Sequence, residues 1–251
     1  MSATKTLAFI LKTQDYRDTS LLGHFYTRDF GKVHGIIKGI RDTRARFGST
    51  LEPFSLNEIL FYRRRRGSDL HQVTHVELLD LFTDVRDNLE RLSYASYFAE
   101  LLDQIVELEE PSPEIFDLFK DTLLLMTAGA SPKRCARIFE VKLCGILGLL
   151  PEIKACVICR APSPDPAYFS AKHGGIQCKS CSSGAGAVTP VSQGTLSFMD
   201  RVIRFDVKDL HNVKVSQEVG GDLEKMMRRF VDFQLTRQLK TVVFLEKMGF
   251  N

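Results

Sequence analysis

The sequence predicts an α+β protein: a five-stranded closed β-barrel at the N-terminus, then a helical domain with an inserted four-cysteine loop. Three observations predict it. Short apolar runs separated by turn residues occupy the first 80 positions. Near Asp80 the apolar period changes from two to 3.6 residues. Two C-x2-C pairs, Cys156/Cys159 and Cys178/Cys181, then stand 18 residues apart with helical spacing on both sides.

The strands come first. Thr6 to Leu11 is a strongly apolar run that Asp15-Tyr16-Arg17-Asp18 interrupts, and Ser20 to Thr27 follows. A turn at Arg28-Asp29-Phe30-Gly31 leads to Lys32 to Ile37, and a basic loop covers Lys38 to Gly48. Phe54 to Arg64 and, after Gly67-Ser68, Leu70 to Leu78 complete the set. Five short strands divided by turn signals favour a small closed barrel over a sandwich, and a Greek-key barrel of this size is the oligonucleotide/oligosaccharide-binding (OB) fold. Gly31, Gly35 and Gly39 recur in and beside the third strand, where a barrel needs bends and close backbone approach. Residues 1–80 are therefore expected to form the barrel domain.

Residues 81–251 read as helical. Leu92, Ala95, Ala99, Leu102 and Val106 are spaced for one buried helix face, and Pro111 and Pro113 separate this helix from a second over Glu114 to Thr127. Gly129 stops the second helix, and Ser131-Pro132 starts a third as N-cap and first-turn proline. Gly148 stands where that helix ends. Helical spacing returns over Ser192 to Arg204 and over Gly221 to Leu239, so the loop at 152–190 is an insertion in a helical domain.

The insertion carries the strongest chemical motif. Each C-x2-C pair can turn back and aim two sulfurs at one point, and two pairs complete a tetrahedron suited to zinc. Four thiolates from Cys156, Cys159, Cys178 and Cys181 leave no position for water, which predicts one structural zinc ion. His173 lies inside the loop and reads as a loop residue. The other two thiols, Cys135 and Cys144, sit in apolar helical sequence as small buried hydrophobes.

Composition sets the remaining bounds. A chain of 251 residues with 44% apolar and 26% charged side chains is that of a soluble globular protein. No apolar run approaches the length of a membrane span, and the early charged segment interrupts any signal-peptide pattern, which predicts a cytoplasmic protein. A net charge of +3 says little about partners, but its distribution says more. Residues 28–66 hold ten basic side chains against four acidic ones. Lys38, Arg41, Arg44 and Arg46 lie among glycines that let backbone approach phosphate oxygens, and they are the expected nucleic-acid contacts. The run Arg63, Arg64, Arg65 and Arg66 is a second candidate, or a charged strand end that discourages edge pairing. Near the C-terminus Arg228, Arg229, Arg237 and Lys240 interleave with apolar residues, as in an amphipathic helix or in a groove for an acidic peptide with an aromatic end. Motifs for phosphate-loop, zincin, serine-hydrolase, dinucleotide and zinc-deaminase chemistry are missing, so the expected protein is not an enzyme and takes no small-molecule substrate.

The pattern resembles the RecO family of bacterial DNA repair and recombination mediators nearly from end to end. The resemblance rests on the K-G-x-R segment at Lys38 leading to Leu51-Glu52-Pro53-Phe54, and on LGLLPE at 147–152 before the first cysteine pair. YFSAKHGG before the second pair and the closing RQLKTVVFL add to it. Family members with this loop usually carry Gly after the first C-x2-C, where this chain has Arg160. The resemblance implies single- and double-stranded DNA binding, annealing of complementary strands, and a nucleoid-associated location. It also implies partnership with RecR and with the C-terminal tail of the single-stranded-DNA-binding protein SSB to load RecA at gaps. The alternative from the residues themselves is a zinc-containing protein-interaction scaffold with incidental DNA contact.

Overall fold

The computed structural model describes residues 3–17, 19–38, 51–63, 70–183, 186–210, 213 and 215–250. Its first five strands are β1 (Ala3–Tyr16), β2 (Ser20–Thr27), β3 (Gly31–Ile37), β4 (Leu56–Tyr62) and β5 (Leu70–Asp80). They close into a barrel in the order β1-β2-β3-β5-β4. All neighbours are antiparallel except β3 and β5, which run parallel from His34↔Leu70 to Ile37↔Val73. β1 is longer than its apolar run because it serves two neighbours: Ala3 to Phe9 pairs with β4 and Ala8 to Tyr16 with β2. A register shift between Ile10 and Lys12 bends the strand from one neighbour toward the other.

Alternating side chains fill the barrel with Ala8, Ile10, Phe25, Val33, Ile37, Ile59, Phe61, Val73 and Val76. Gly35 makes room for them, since a Cβ there would stand 2.5 Å from Val73 Cγ2 and 3.2 Å from the Phe25 ring. Phe9 points the other way and meets Phe116 and Phe119 at 4.9 and 4.7 Å between ring centroids. The outer face of β1 is thus covered by helix.

Helices follow: α1 (Thr83–Arg86), α2 (Leu89–Ile105), α3 (Pro113–Thr127) and α4 (Pro132–Ile146). Asn88 caps α2 by accepting from the Arg91 amide. Ser131 precedes α4 as expected, although its side chain makes no capping bond. The cysteine region contains a small sheet of β6 (Ala167–Ser170), β7 (Gly175–Cys178) and β8 (Thr189–Val191), with the single turn α5 (Lys179–Ser182) after β7. The chain ends in α6 (Gln193–Arg204), α7 (Gln217–Gln234) and α8 (Lys240–Lys247).

The apolar period from Gly221 to Leu239 predicts one terminal helix; the structure has two. Leu235 leaves α7 in extended backbone, and α8 begins at Lys240. The physical reason lies in Glu100, whose carboxylate accepts from the Lys240 and Thr241 amides at 3.0 and 2.8 Å. Those donors become available only where a new helix starts.

By contacts the chain forms two compact units, one of residues 1–123 with 239–251 and one of residues 124–238. The first holds the barrel, α1, α2, most of α3 and α8. Tyr94 donates to the Phe250 carbonyl at 2.6 Å and fastens its C-terminal end. The second holds α4, the small sheet, α6 and α7. Its buried sheet residue Phe169 meets Phe230 of α7 edge-on at 6.0 Å.

Candidate metal centre and nucleic-acid interface

The four cysteines converge. Cys156, Cys159, Cys178 and Cys181 place all four Sγ atoms within 4.8 Å of one another. Local backbone bonds build the cluster: the Arg160 amide returns to the Cys156 carbonyl at 2.9 Å and the Cys156 amide reaches Ala161 at 2.8 Å. Val157 then joins β7 by donating to the Ile176 carbonyl at 2.9 Å, which brings the first pair beside the second. Gly175 is needed for this approach, because a Cβ there would lie 2.6 Å from both the Glu152 carbonyl oxygen and Val157 Cγ1. Arg160 adopts φ 63°, a backbone region that favours glycine.

The sulfur geometry fits a tetrahedral ion. Cys159 Sγ and Cys178 Sγ are 3.7 Å apart, and the edge of a tetrahedron with metal–sulfur bonds of about 2.3 Å is about 3.8 Å. The six cysteines described are free thiols. Protonation fits as well. Burial works against ionising Cys156, yet the amides of Cys159, Cys178 and Ile158 outweigh it and bring the pKa down to about 6. The Ser180 hydroxyl, 3.1 Å away, lowers Cys178. Cys181 is pushed up to about 12, first by its hydrogen bond to Cys178, because crowded sulfurs cannot all be anions without a cation. These four residues can hold a metal ion. His173 lies outside the set: its Nδ1 is 3.0 Å from both Ser170 Oγ and Gln177 Nε2.

Of the predicted nucleic-acid contacts, Lys38 and Arg63 are described. Arg41, Arg44, Arg46, Arg64, Arg65 and Arg66 lie outside the described residues. Lys38 is exposed directly after β3. Arg63 directly follows β4, over the Phe30 ring at 5.6 Å, and pairs with Glu109 at 2.6 Å. The same carboxylate reaches His71 Nε2 at 2.9 Å. Burial raises the Glu109 pKa, but the bonds from Arg63 and His71 outweigh it and hold the carboxyl below its ordinary value. Sequence reasoning missed Glu109 because 46 residues separate it from Arg63.

In the second unit Arg228 and Arg229 lie on α7, and Arg229 donates to Thr189 Oγ1 at 2.6 Å. Arg237 is exposed in the bend after α7. Lys240 opens α8, which belongs to the first unit.

Models of the N-terminal and C-terminal parts of recombination protein O match residues 1–82 and 86–242. The chain belongs to the RecO family. It is similar to a DNA repair protein RecO of Syntrophus aciditrophicus, at 32% identity over 97% of this chain and 95% of that one. One from Anaeromyxobacter sp. strain K is 30% identical over 99% and 98%, and one from Pelotomaculum thermopropionicum 28% over 99% and 96%. RecO membership assigns the chain to DNA repair and recombination. Among the described residues no helix is long and apolar enough to cross a membrane.

Proposed function

We propose that the chain is a non-catalytic mediator of DNA repair and homologous recombination. It binds single- and double-stranded DNA, anneals complementary strands and, with RecR, helps load RecA on gaps coated by SSB. The observation that carries this reading is the order of the barrel. β5 lies between β3 and β4, so the two basic connections, which begin at Lys38 and Arg63, leave strands that flank the same neighbour. Annealing makes and breaks no covalent bond. It requires cationic side chains that offset the repulsion between two phosphate backbones, and Lys38, Arg41, Arg44 and Arg46 would supply them, with Arg63 to Arg66 in support.

A salt titration of single-strand binding by the full chain tests this. Each phosphate contact steepens the slope of log K against log salt by about 0.7 for single strands. Replacing Arg41, Arg44 and Arg46 by Glu should therefore flatten it by about 2 and weaken affinity at low salt for every sequence alike. Unchanged affinity at low salt would remove the assignment.

Zinc at Cys156, Cys159, Cys178 and Cys181 would be structural, tying the two C-x2-C turns together and supplying no reaction chemistry. A second surface supports partner binding. Arg229 and the 58% exposed Phe233 are four residues apart on α7, hence on one helix face, with Arg237 just beyond. A cationic, aromatic face of this kind suits an acidic peptide such as the SSB tail. Arg228 is a further candidate in this unit, and Lys240, in the first unit, is a separate one. Loss of tail-peptide binding in Arg229→Ala and Phe233→Ala, with DNA affinity retained, is the expected result.

A further inference from the structure

Two histidines and an aspartate converge on the barrel, far in sequence from the cysteines. His24 of β2 and His34 of β3 are direct partners in the antiparallel register. Their rings lie 4.0 Å apart between centroids, tilted by 30°. Asp103, in the last turn of α2, comes down beside them with Oδ1 2.7 Å from His24 Nδ1. One donor atom from each residue can be chosen so that all three lie within 4.8 Å of one another.

We propose that His24, His34 and Asp103 form a second metal site, one that takes a borderline divalent transition ion such as zinc. Two neutral imidazoles and a carboxylate are the donor set such ions prefer over magnesium or calcium, which favour oxygen alone. Donors on one tetrahedral ion with bonds of about 2.0–2.1 Å stand about 3.3 Å apart. The His24 Nδ1–Asp103 Oδ1 pair, now 2.7 Å apart, opens by about 0.6 Å to admit the ion, which displaces the proton held between them. Three protein ligands leave a fourth position for water, unlike the closed sulfur set.

The surroundings favour a cation there. Asp103 lies in the last turn of α2, near the negative end of the helix, and that turn carries no basic residue of its own. The His24 and Asp103 side chains are 14% and 9% exposed, partly desolvated yet reachable. Positive charge opposes the ion: Lys12 is the cross-strand partner of His24 on β1, and the buried Lys32 ammonium donates to the Asp103 carbonyl at 2.7 Å. It limits affinity without occupying the carboxylate that Asp103 offers. A bound ion would join the β2–β3 hairpin to α2.

Metal content decides the matter. The untagged full-length chain, equilibrated with excess zinc and then freed of unbound ion, is measured by elemental analysis. It should carry one zinc beyond any held by the cysteines. Both His34→Gln and Asp103→Asn should weaken that ion by about 100-fold, since losing even an outer hydrogen-bond partner of a ligand costs about 10–100-fold. Cobalt keeps the two sites distinguishable. Thiolate-to-cobalt charge-transfer bands belong to the cysteines and should be unchanged in both variants, while the weaker bands of a nitrogen- and oxygen-ligated ion should vanish. The site is disproved if the wild-type and variant chains bind the same amount of zinc. It is equally disproved if cobalt bands free of thiolate character never appear, whatever the cysteines do.

Discussion

Arg160 occupies a left-handed position, φ 63°, at the turn that closes the first cysteine pair. A side chain there costs about 1 kcal/mol relative to glycine. Arg160→Gly should therefore stabilise the second unit by about 1 kcal/mol, read from its denaturant midpoint. Glu109 permits a pH prediction. Its folded pKa lies below the ordinary value of 4.5, so its contribution to stability is complete above that value and lost as pH falls through the lower folded one. The stability gap between wild type and Glu109→Gln should be steady from neutral pH down to the mid-acid range and close below it, as urea melts at a series of pH values would show. If Arg63 contacts phosphate, Glu109→Gln should also tighten DNA binding, because it frees a guanidinium now held at 2.6 Å.

Helix α4 shows how one element can bury charge. Arg137 and Glu140 pair at 2.9 Å with side-chain exposures of 6% and 0%. Removing one partner leaves the other charge in a poorly solvated interior, so Arg137→Ala should cost about 3–5 kcal/mol. Replacing both together, as Arg137→Met with Glu140→Leu, should cost far less; comparing the thermal melts of the two variants is the check. The small sheet of β6, β7 and β8 was not legible beforehand, because strands of three and four residues are too short to display a period of two. The break between α7 and α8 was hidden for another reason. Residues 235–239 continue an apolar pattern, and only Glu100, more than 130 residues earlier, supplies the acceptor that starts a new helix.

At the scale of the molecule, the change of period near residue 80 marks where strands give way to helices. The compact units are divided elsewhere, within α3 and again before α8. Phe9, Phe116 and Phe119 form one aromatic contact group, which keeps the start of α3 with the barrel. Metal removal should act unit by unit. Treating the chain with a strong chelator should expose the amides of residues 152–191 to hydrogen exchange, while β1 to β5 keep their protection. Loss of protection in the barrel strands of the His34→Gln chain, which lacks the ion proposed on the barrel, would show that the cysteine-held metal supports more than its own loop.

Local chemistry was readable from the sequence alone. The cysteine spacing, the five apolar runs, the helix starts at Ser131-Pro132 and Ser192, and the family signature all depend on residues within a few positions of one another. Convergence of distant residues was decided only by the tertiary structure. His24 and His34 are ten residues apart and acquire a common face from the β2–β3 register, and Asp103 joins them because α2 ends there. Glu109 meets Arg63 and His71 because the chain after α2 pairs with β3 at Lys32. Register and packing direction are properties of the folded chain, and no local pattern encodes which distant carboxylate will arrive. The four cysteines are the intermediate case: spacing announced the ligands, and the pairing of Val157 with β7 brought both halves to one point.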